Sequence, residues 1–215
     1  MQKISISEMR ESYGKFSLNE DNCPSNPYEL FARWFKDAQE GNEYEPNAFA
    51  LSTVDAQGIP SSRIVPLKYF DEDGFIFFTN YKSRKGENIE ECPHVSMLFW
   101  WRTYEQQVRI MGTATKVERE ISQEYFNMRP LGSRVGACIS PQSQKISLEE
   151  ITAAYNKKAE DLGESSYIEV PDYWGGYIIK PHYIEFWQGR PNRLHDRIVY
   201  EDSGKEGWSK FRIAP

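Results

Sequence analysis

Hydrophobic positions along this chain follow two spacings, and the switch between them lays out its elements. Leu30, Phe31, Trp34, Phe35 and Ala38 recur at helical intervals, which predicts a core-facing helix. Asn26-Pro27-Tyr28-Glu29 marks its start: Asn26 can cap, Pro27 suits the first helical position, and Glu29 stands where a capping-box acid belongs. Gly41 stops it. From Asn47 the spacing becomes two, the period of a half-buried strand. Residues 48–54 and 61–70 read as strands joined by a turn at 55–58, and 71–74 turns the chain into a third strand at 75–79. A polar loop, 80–85, leads into a short helix ending near Glu91, before Pro93. Strands follow at 95–101 and 105–117, turned at Arg102-Thr103, with Gly112 expected at a bulge.

The second half repeats the alternation. Residues 119–128 read as a helix that Pro130 ends, and Ser133 falls in a glycine-containing loop after it. Ser147-Leu148-Glu149-Glu150 opens another helix with a capping box, running to Leu162. Strands are expected at 174–180 and 183–187, then a hairpin at 196–201 and 208–213. About nine short strands with three or four helices predict an α+β fold rather than βαβ units. Residues 1–25 are polar and weakly periodic and read as an N-terminal arm, leaving 26–215 as one domain.

Composition narrows the function. The formal net charge is −6, which argues against a non-specific nucleic-acid binder. Aromatics are 14% of residues, enough to pack a core, a pocket and a subunit interface. Cys23, Cys92 and Cys138 are scattered without metal-ligand spacing, so a reducing cytosol is the expected compartment. No apolar run approaches membrane-spanning length, and the start Met-Gln-Lys-Ile-Ser has no secretory apolar region. Dinucleotide, Walker A, H-E-x-x-H and G-x-S-x-G motifs are absent. His94, His182 and His195 are too far apart in sequence to propose zinc.

What remains is a set of separated cation clusters. Ser83-Arg84-Lys85 stands at a strand-to-helix junction, where backbone N–H groups and the helix dipole favour a phosphate. Arg63 and Lys68 share a strand, but their odd separation places them on opposite faces unless a bulge near Pro66 changes that. Tyr125, Arg129 and Ser133 form either a second anion site or an ordinary helix end. Gln106-Gln107 can address a heterocycle edge or face water. The stretch 185–197 carries Arg190, Arg193, Arg197, His195 and Asp196 on a strand connection. It is either an anion-holding wall or a charged, solvated hairpin.

Ordered motifs then resemble one family over nearly the whole chain. They are Ser62-Arg63-Ile64-Val65-Pro66-Leu67-Lys68, Phe78-Thr79-Asn80, Ser83-Arg84-Lys85, Gln106-Gln107-Val108-Arg109, Tyr125-Phe126 with Arg129-Pro130, and Gly132-Ser133. Further along come Gln142-Ser143, Tyr173-Trp174-Gly175-Gly176, Glu185-Phe186-Trp187-Gln188-Gly189, Arg193-Leu194-His195-Asp196-Arg197 and the terminal Arg212-Ile213-Ala214-Pro215. The chain resembles the pyridoxine/pyridoxamine 5′-phosphate oxidases. The resemblance implies an α+β, FMN-binding split β-barrel with peripheral helices, and a homodimer with FMN in the subunit interface. It implies oxidation of pyridoxine or pyridoxamine 5′-phosphate to pyridoxal 5′-phosphate, with hydride passing from C4′ to flavin N5 and O2 becoming H2O2.

By position, the resemblance assigns FMN to Arg63, Ile64, Val65, Pro66, Leu67, Lys68, Phe78, Thr79, Arg84, Lys85, Gln107, Gln142, Ser143, Trp187 and Arg197. It assigns the substrate phosphate to Lys68, Tyr125, Arg129 and Ser133, and the reacting ring to Arg193 and His195, which are the expected catalytic residues. Arg10 and Tyr13 match an arm that covers the site. Pro66, Phe78 and Cys138 depart from the residues usual in the family. A non-catalytic carrier of flavin or pyridoxal phosphate, and a split-barrel reductase with another substrate, are the competing readings.

Overall fold

The computed structural model describes residues 11–163 and 166–215. Its elements, in chain order, are helix α1 (Pro27–Glu40), strands β1 (Ala48–Val54), β2 (Pro60–Pro66), β3 (Tyr69–Asp71) and β4 (Gly74–Asn80), helix α2 (Arg84–Glu91), and strands β5 (His94–Trp101) and β6 (Gln106–Lys116). Helices α3 (Arg119–Met128), α4 (Leu131–Ile139) and α5 (Leu148–Leu162) follow, then strands β7 (Trp174–Gln188), β8 (Asp196–Asp202) and β9 (Trp208–Arg212). The strands form one sheet in the order β2-β1-β5-β6-β7-β4-β3, with β8 on β7 and β9 on β8. The class is α+β, as expected.

The chain divides into two compact units. One comprises Ala50–Ser96 and Gly112–Pro181. Here β4 pairs antiparallel with β3 and with the first half of β7, from Phe75↔Ile179 to Asn80↔Trp174. Phe75, Phe77, Tyr177 and Ile179 are buried. Phe126, Val135 and Trp174 pack with Ile168 and Val170 as a second core beneath α3 and α4. Burying such side chains contributes about 1.5–3 kcal/mol each. Ser147 and Glu150 close the expected capping box on α5.

The other unit holds the described residues up to Phe49, with Met97–Met111 and His182–Pro215. The second half of β7 pairs antiparallel with β8, from Tyr183↔Glu201 to Gln188↔Asp196, and β8 with β9. Asn26 caps α1 by accepting the Tyr28 N–H, with Pro27 at its first position. The apolar stripe of α1 docks as its spacing predicts: Phe31 meets Phe99, Trp34 meets Phe186, and Phe186 meets Tyr200. Leu18 and Cys23 are buried too.

Three local expectations are corrected. The segment after Pro130 is helix α4, not a loop: Val135 is buried and Cys138 packs against the same core, and those contacts outweigh two glycines of poor helix propensity. Strand β7 does not break at Pro181. That proline lies between Ile179, the last residue paired with β4, and Tyr183, the first paired with β8, so its missing N–H costs neither of those ladders a bond. The strand expected over 61–70 stops at Pro66 and restarts as β3.

Candidate active site

A cavity of 1040 Å³ opens in the first unit, lined by β2, β4, the start of α2, and the α3–α4 junction. Arg63, Lys68, Arg84, Lys85 and Arg129 all line it, and among the described residues no carboxylate does. The break after Pro66 explains how Arg63 and Lys68 reach one cavity despite their odd spacing. Beyond the break the Lys68 N–H donates to the Ile76 carbonyl, so the alternation of β2 no longer sets its side-chain direction.

The α2 start is built around Ser83. Its Oγ caps the helix by accepting the Gly86 N–H and donates to the Asn80 carbonyl at 2.6 Å. A Cβ on Gly86 would lie 2.1 Å from the Tyr81 carbonyl oxygen, so glycine is required for this close approach. Lys85 is 8% exposed. Its Nζ donates to Thr79 Oγ1, Ser83 Oγ and Gln142 Oε1, each at 3.1 Å. Ser143, in the left-handed region at φ 72°, turns its Oγ to accept the Arg84 N–H. Arg63 is held by the Leu51 carbonyl, Thr53 Oγ1 and Ser61 Oγ.

These cations are electrostatically uncomfortable. Burial, with Arg63 as a lesser cause, brings the Lys85 pKa down to about 8. Burial and then Arg84 lower that of Arg63. Burial lowers that of Arg129, against the pull of Tyr125 and Cys138. The Arg129 Nη1 is buried with no hydrogen-bond partner among the described residues, while its guanidinium lies over the Trp174 ring at 4.9 Å. Buried donors of this kind call for an anion. Phe78 stacks on Tyr125 at 4.1 Å and on Trp174 at 5.6 Å, and Lys68 lies over Tyr125 at 5.7 Å. The donor set fits phosphate groups, and the aromatic wall fits a flat ring.

The second unit brings together a different group. His195 packs on Trp187 at 4.5 Å, and Tyr13 meets both rings edge-on at 6.0 and 5.7 Å. Trp100 joins at 6.1 Å from Trp187. Glu105 seats Tyr13 by accepting the Gly14 and Lys15 N–H groups at 2.7 and 3.1 Å. A Cβ on Gly189 would come within 2.7 Å of Tyr13. Arg193 is exposed at φ 62°, beside Asn192 at φ 57°. Glu185, 1% exposed, accepts from Arg197 Nε at 2.7 Å, Tyr183 Oη at 2.9 Å and Arg109 Nη1 at 3.2 Å. Burial works to raise its pKa, but the Arg197 and Tyr183 hydrogen bonds and the two guanidinium charges outweigh it and hold the group ionised. In return, the Glu185 bond raises the pKa of Arg197.

The pyridoxamine 5′-phosphate oxidase family model matches residues 35–169. The pyridoxine 5′-phosphate oxidase C-terminal dimerisation region matches residues 174–215. The chain belongs to the pyridoxamine 5′-phosphate oxidase family. A pyridoxine/pyridoxamine 5′-phosphate oxidase of Bordetella pertussis is 49% identical over 212 residues, 99% of this chain and 100% of that one. One from Crocosphaera subtropica is 46% identical over 214 residues, 99% and 100% of the two chains. PhzG from Burkholderia lata 383, solved with tetrahydrophenazine-1-carboxylic acid, has TM-score 0.88 at 30% identity, covering 95% of this chain and 100% of that one. An FMN-binding, pyridoxamine 5′-phosphate oxidase-related protein from Nostoc punctiforme shares the fold, with TM-score 0.71 at 18% identity over 92% and 100%. Membership places the chain among flavoprotein oxidoreductases with the split-barrel fold, and the matched C-terminal region supports a homodimer. Among the described residues, no helix is long and apolar enough to cross a membrane.

In this member of the oxidase family, the flavin-assigned residues divide between the units. Arg63, Ile64, Val65, Pro66, Lys68, Phe78, Thr79, Arg84, Lys85, Gln142 and Ser143 line the cavity, together with Tyr125, Arg129 and Ser133. Leu67 is buried and is not one of its lining residues. Gln107, half-buried on β6, belongs to the other unit with Trp187, Arg197, Tyr13, Arg193 and His195. Arg10 lies outside the described residues. Sequence alone pointed to neither Trp100 nor Glu105, nor to the pairing of Glu185 with Arg197, Arg109 and Tyr183. An acid inside an otherwise apolar strand, Glu185 beside Phe186 and Trp187, was the available signal for the last.

Proposed function

We propose that the protein is an FMN-dependent oxidase converting pyridoxine and pyridoxamine 5′-phosphates to pyridoxal 5′-phosphate, with O2 as acceptor and H2O2 as product. The observation that carries this reading is the carboxylate-free cavity lined by five cations, with the buried, unpartnered Arg129 Nη1. Bound FMN supplies the hydride acceptor and the route of electrons to O2.

The residues of this chain bind and orient. Arg63, Arg84, Lys85 and Ser143 hold the FMN phosphate, and Gln142 steadies Lys85. Lys68, Tyr125, Arg129 and Ser133 hold the substrate phosphate, with Tyr125 braced by Phe78. The hydroxyl that Phe78 lacks is therefore not needed for stacking. Gln107 addresses the flavin edge, and Trp187 and an Arg197 oriented by Glu185 complete its holding. Arg193 and His195 face the substrate ring, and Tyr13 shields them from water. Homodimerisation with FMN in the subunit interface follows the family resemblance; the three free cysteines suit a reducing, cytoplasmic location.

The test is to add pyridoxine 5′-phosphate in air to the FMN-loaded protein and measure H2O2 and pyridoxal 5′-phosphate. A protein that retains no flavin, or retains it without forming peroxide, refutes the reading; the second outcome leaves a carrier. The likeness to PhzG favours one further comparison, a tricyclic aromatic carboxylic acid as substrate. Preference for that compound over the phosphate ester would overturn the assignment of Lys68, Tyr125, Arg129 and Ser133.

A further inference from the structure

The proposed function uses His195 without saying which of its nitrogens carries a proton, and Arg190 has no role in it. The connection between β7 and β8 supplies both. The Arg190 backbone N–H donates to His195 Nδ1 at 3.1 Å. An imidazole accepting at Nδ1 must carry its proton on Nε2 when neutral. We propose that His195 acts on its ligand only as a hydrogen-bond donor, through Nε2–H, and that Arg190 is the positioning residue that fixes this tautomer. The ligand group it recognises is an acceptor oxygen on the substrate ring. This rests on the proposed function for the identity of the substrate, but not for the tautomer.

Among the described residues, no carboxylate is placed to make the ring a base. Asp196, the adjacent carboxylate, is spent elsewhere: Oδ1 accepts from Arg212 Nη1 at 2.8 Å, and Oδ2 accepts the Leu18 N–H at 3.0 Å and lies 3.6 Å from Arg190 Nε. It therefore does not receive an Nδ1–H, as the carboxylate of a base-activating dyad must. Arg190 is itself anchored, because its Nη1 donates to the Phe16 carbonyl at 2.9 Å. The ring packs against Trp187 of β7 and Tyr13 of the arm. The charged groups around it are Arg190 and Arg193 of the turn, Asp196 of β8 and Arg212 of β9. Protonation at Nδ1 would set two N–H donors against each other. Burial and then Arg193 also lower the pKa, with Asp196 opposing, so neutral His195 is favoured near neutral pH.

Nitrogen-15 NMR of the full chain tests this without turnover. The His195 signals are identified by their loss in His195→Gln. The expected result at pH 7.5 is a protonated Nε2, a bare Nδ1, and a coupling through the hydrogen bond from the Arg190 nitrogen to Nδ1. An Nδ1–H tautomer or an imidazolium overturns the proposal, and absence of the coupling removes Arg190 from it. With turnover, His195→Ala should lower kcat/KM by roughly 10- to 100-fold, the worth of a hydrogen bond to a charged acceptor. His195→Gln, whose amide donates but takes up no proton, should restore it to within about 5-fold of wild type. A Gln variant as impaired as Ala overturns the donor role. If no substrate turned over, the proposed function would fall, and the nitrogen spectrum would still decide the tautomer.

Discussion

The phosphate-fitting cavity and the Glu185 and Asp196 clusters use their cations in opposite ways. Around the phosphate-fitting cavity, Arg63, Lys85 and Arg129 sit among neutral donors, acceptors and aromatic rings, and burial pulls all three pKa values down. In the other unit, Arg109 and Arg197 share Glu185, while Arg190 and Arg212 share Asp196. The first arrangement is unfavourable without an anion, so it marks where a ligand belongs. In the second, each of these four arginines has a carboxylate partner that fixes its orientation. Counting positive charges would treat the two regions alike; asking which cations have acidic partners separates them.

The largest expected effect tests the carboxylate-paired side. Glu185→Ala leaves the Arg197 and Arg109 guanidinium groups around an empty buried position, and should cost about 3 kcal/mol. Urea unfolding measures it, and a loss below about 1 kcal/mol, as for a surface pair, would show that these arginines are not held as described. Arg129→Met tests the ligand-facing side and should go the other way. Removing a buried, unpartnered donor should leave the unfolding midpoint unchanged or raise it. The same change should weaken substrate-phosphate binding by about 2 kcal/mol, roughly 30-fold, read as KM. A clear loss of stability with unchanged KM would place Arg129 among the structural arginines.

The smallest effect is a pH dependence. Lys85 loses its proton at about 8 without an anion, and a bound phosphate raises that value. Binding therefore takes up a proton above pH 8, and FMN affinity should fall as pH rises beyond it, by at most about tenfold per unit. Titration by flavin fluorescence from pH 7 to pH 9.5 measures the slope. Lys85→Arg, charged throughout, should abolish it; an identical slope in that variant would assign the proton elsewhere.

Much of the fold was legible because local signals agreed with tertiary packing. The Asn26-Pro27 start of α1 and the Ser147/Glu150 box of α5 appear where expected. So does the two-residue period of β1, whose burial alternates along its length. Helix α4 was not legible: it has no side-chain N-cap and contains Gly132 and Gly136. Pro181 looked like a strand end because a proline's missing N–H normally ends a ladder. The phosphate-type donors of Ser83, Arg84 and Lys85 could be read from their place at a helix start. The pairing of Arg63 with Lys68 could not, since it depends on where β2 stops.

Residue order alone therefore determined the α+β class, the caps and turns, and the residue types able to hold phosphates, because each depends on neighbours a few positions away. Tertiary structure decided which cations stay without acidic partners, which carboxylates pair with the others, and which nitrogen His195 presents. Those outcomes depend on burial and on partners distant in sequence. Glu185 meets Arg109 across 76 positions, and Arg190 reaches Phe16 across 174. No local pattern encodes the burial that leaves one arginine without an acidic partner and pairs another with a carboxylate.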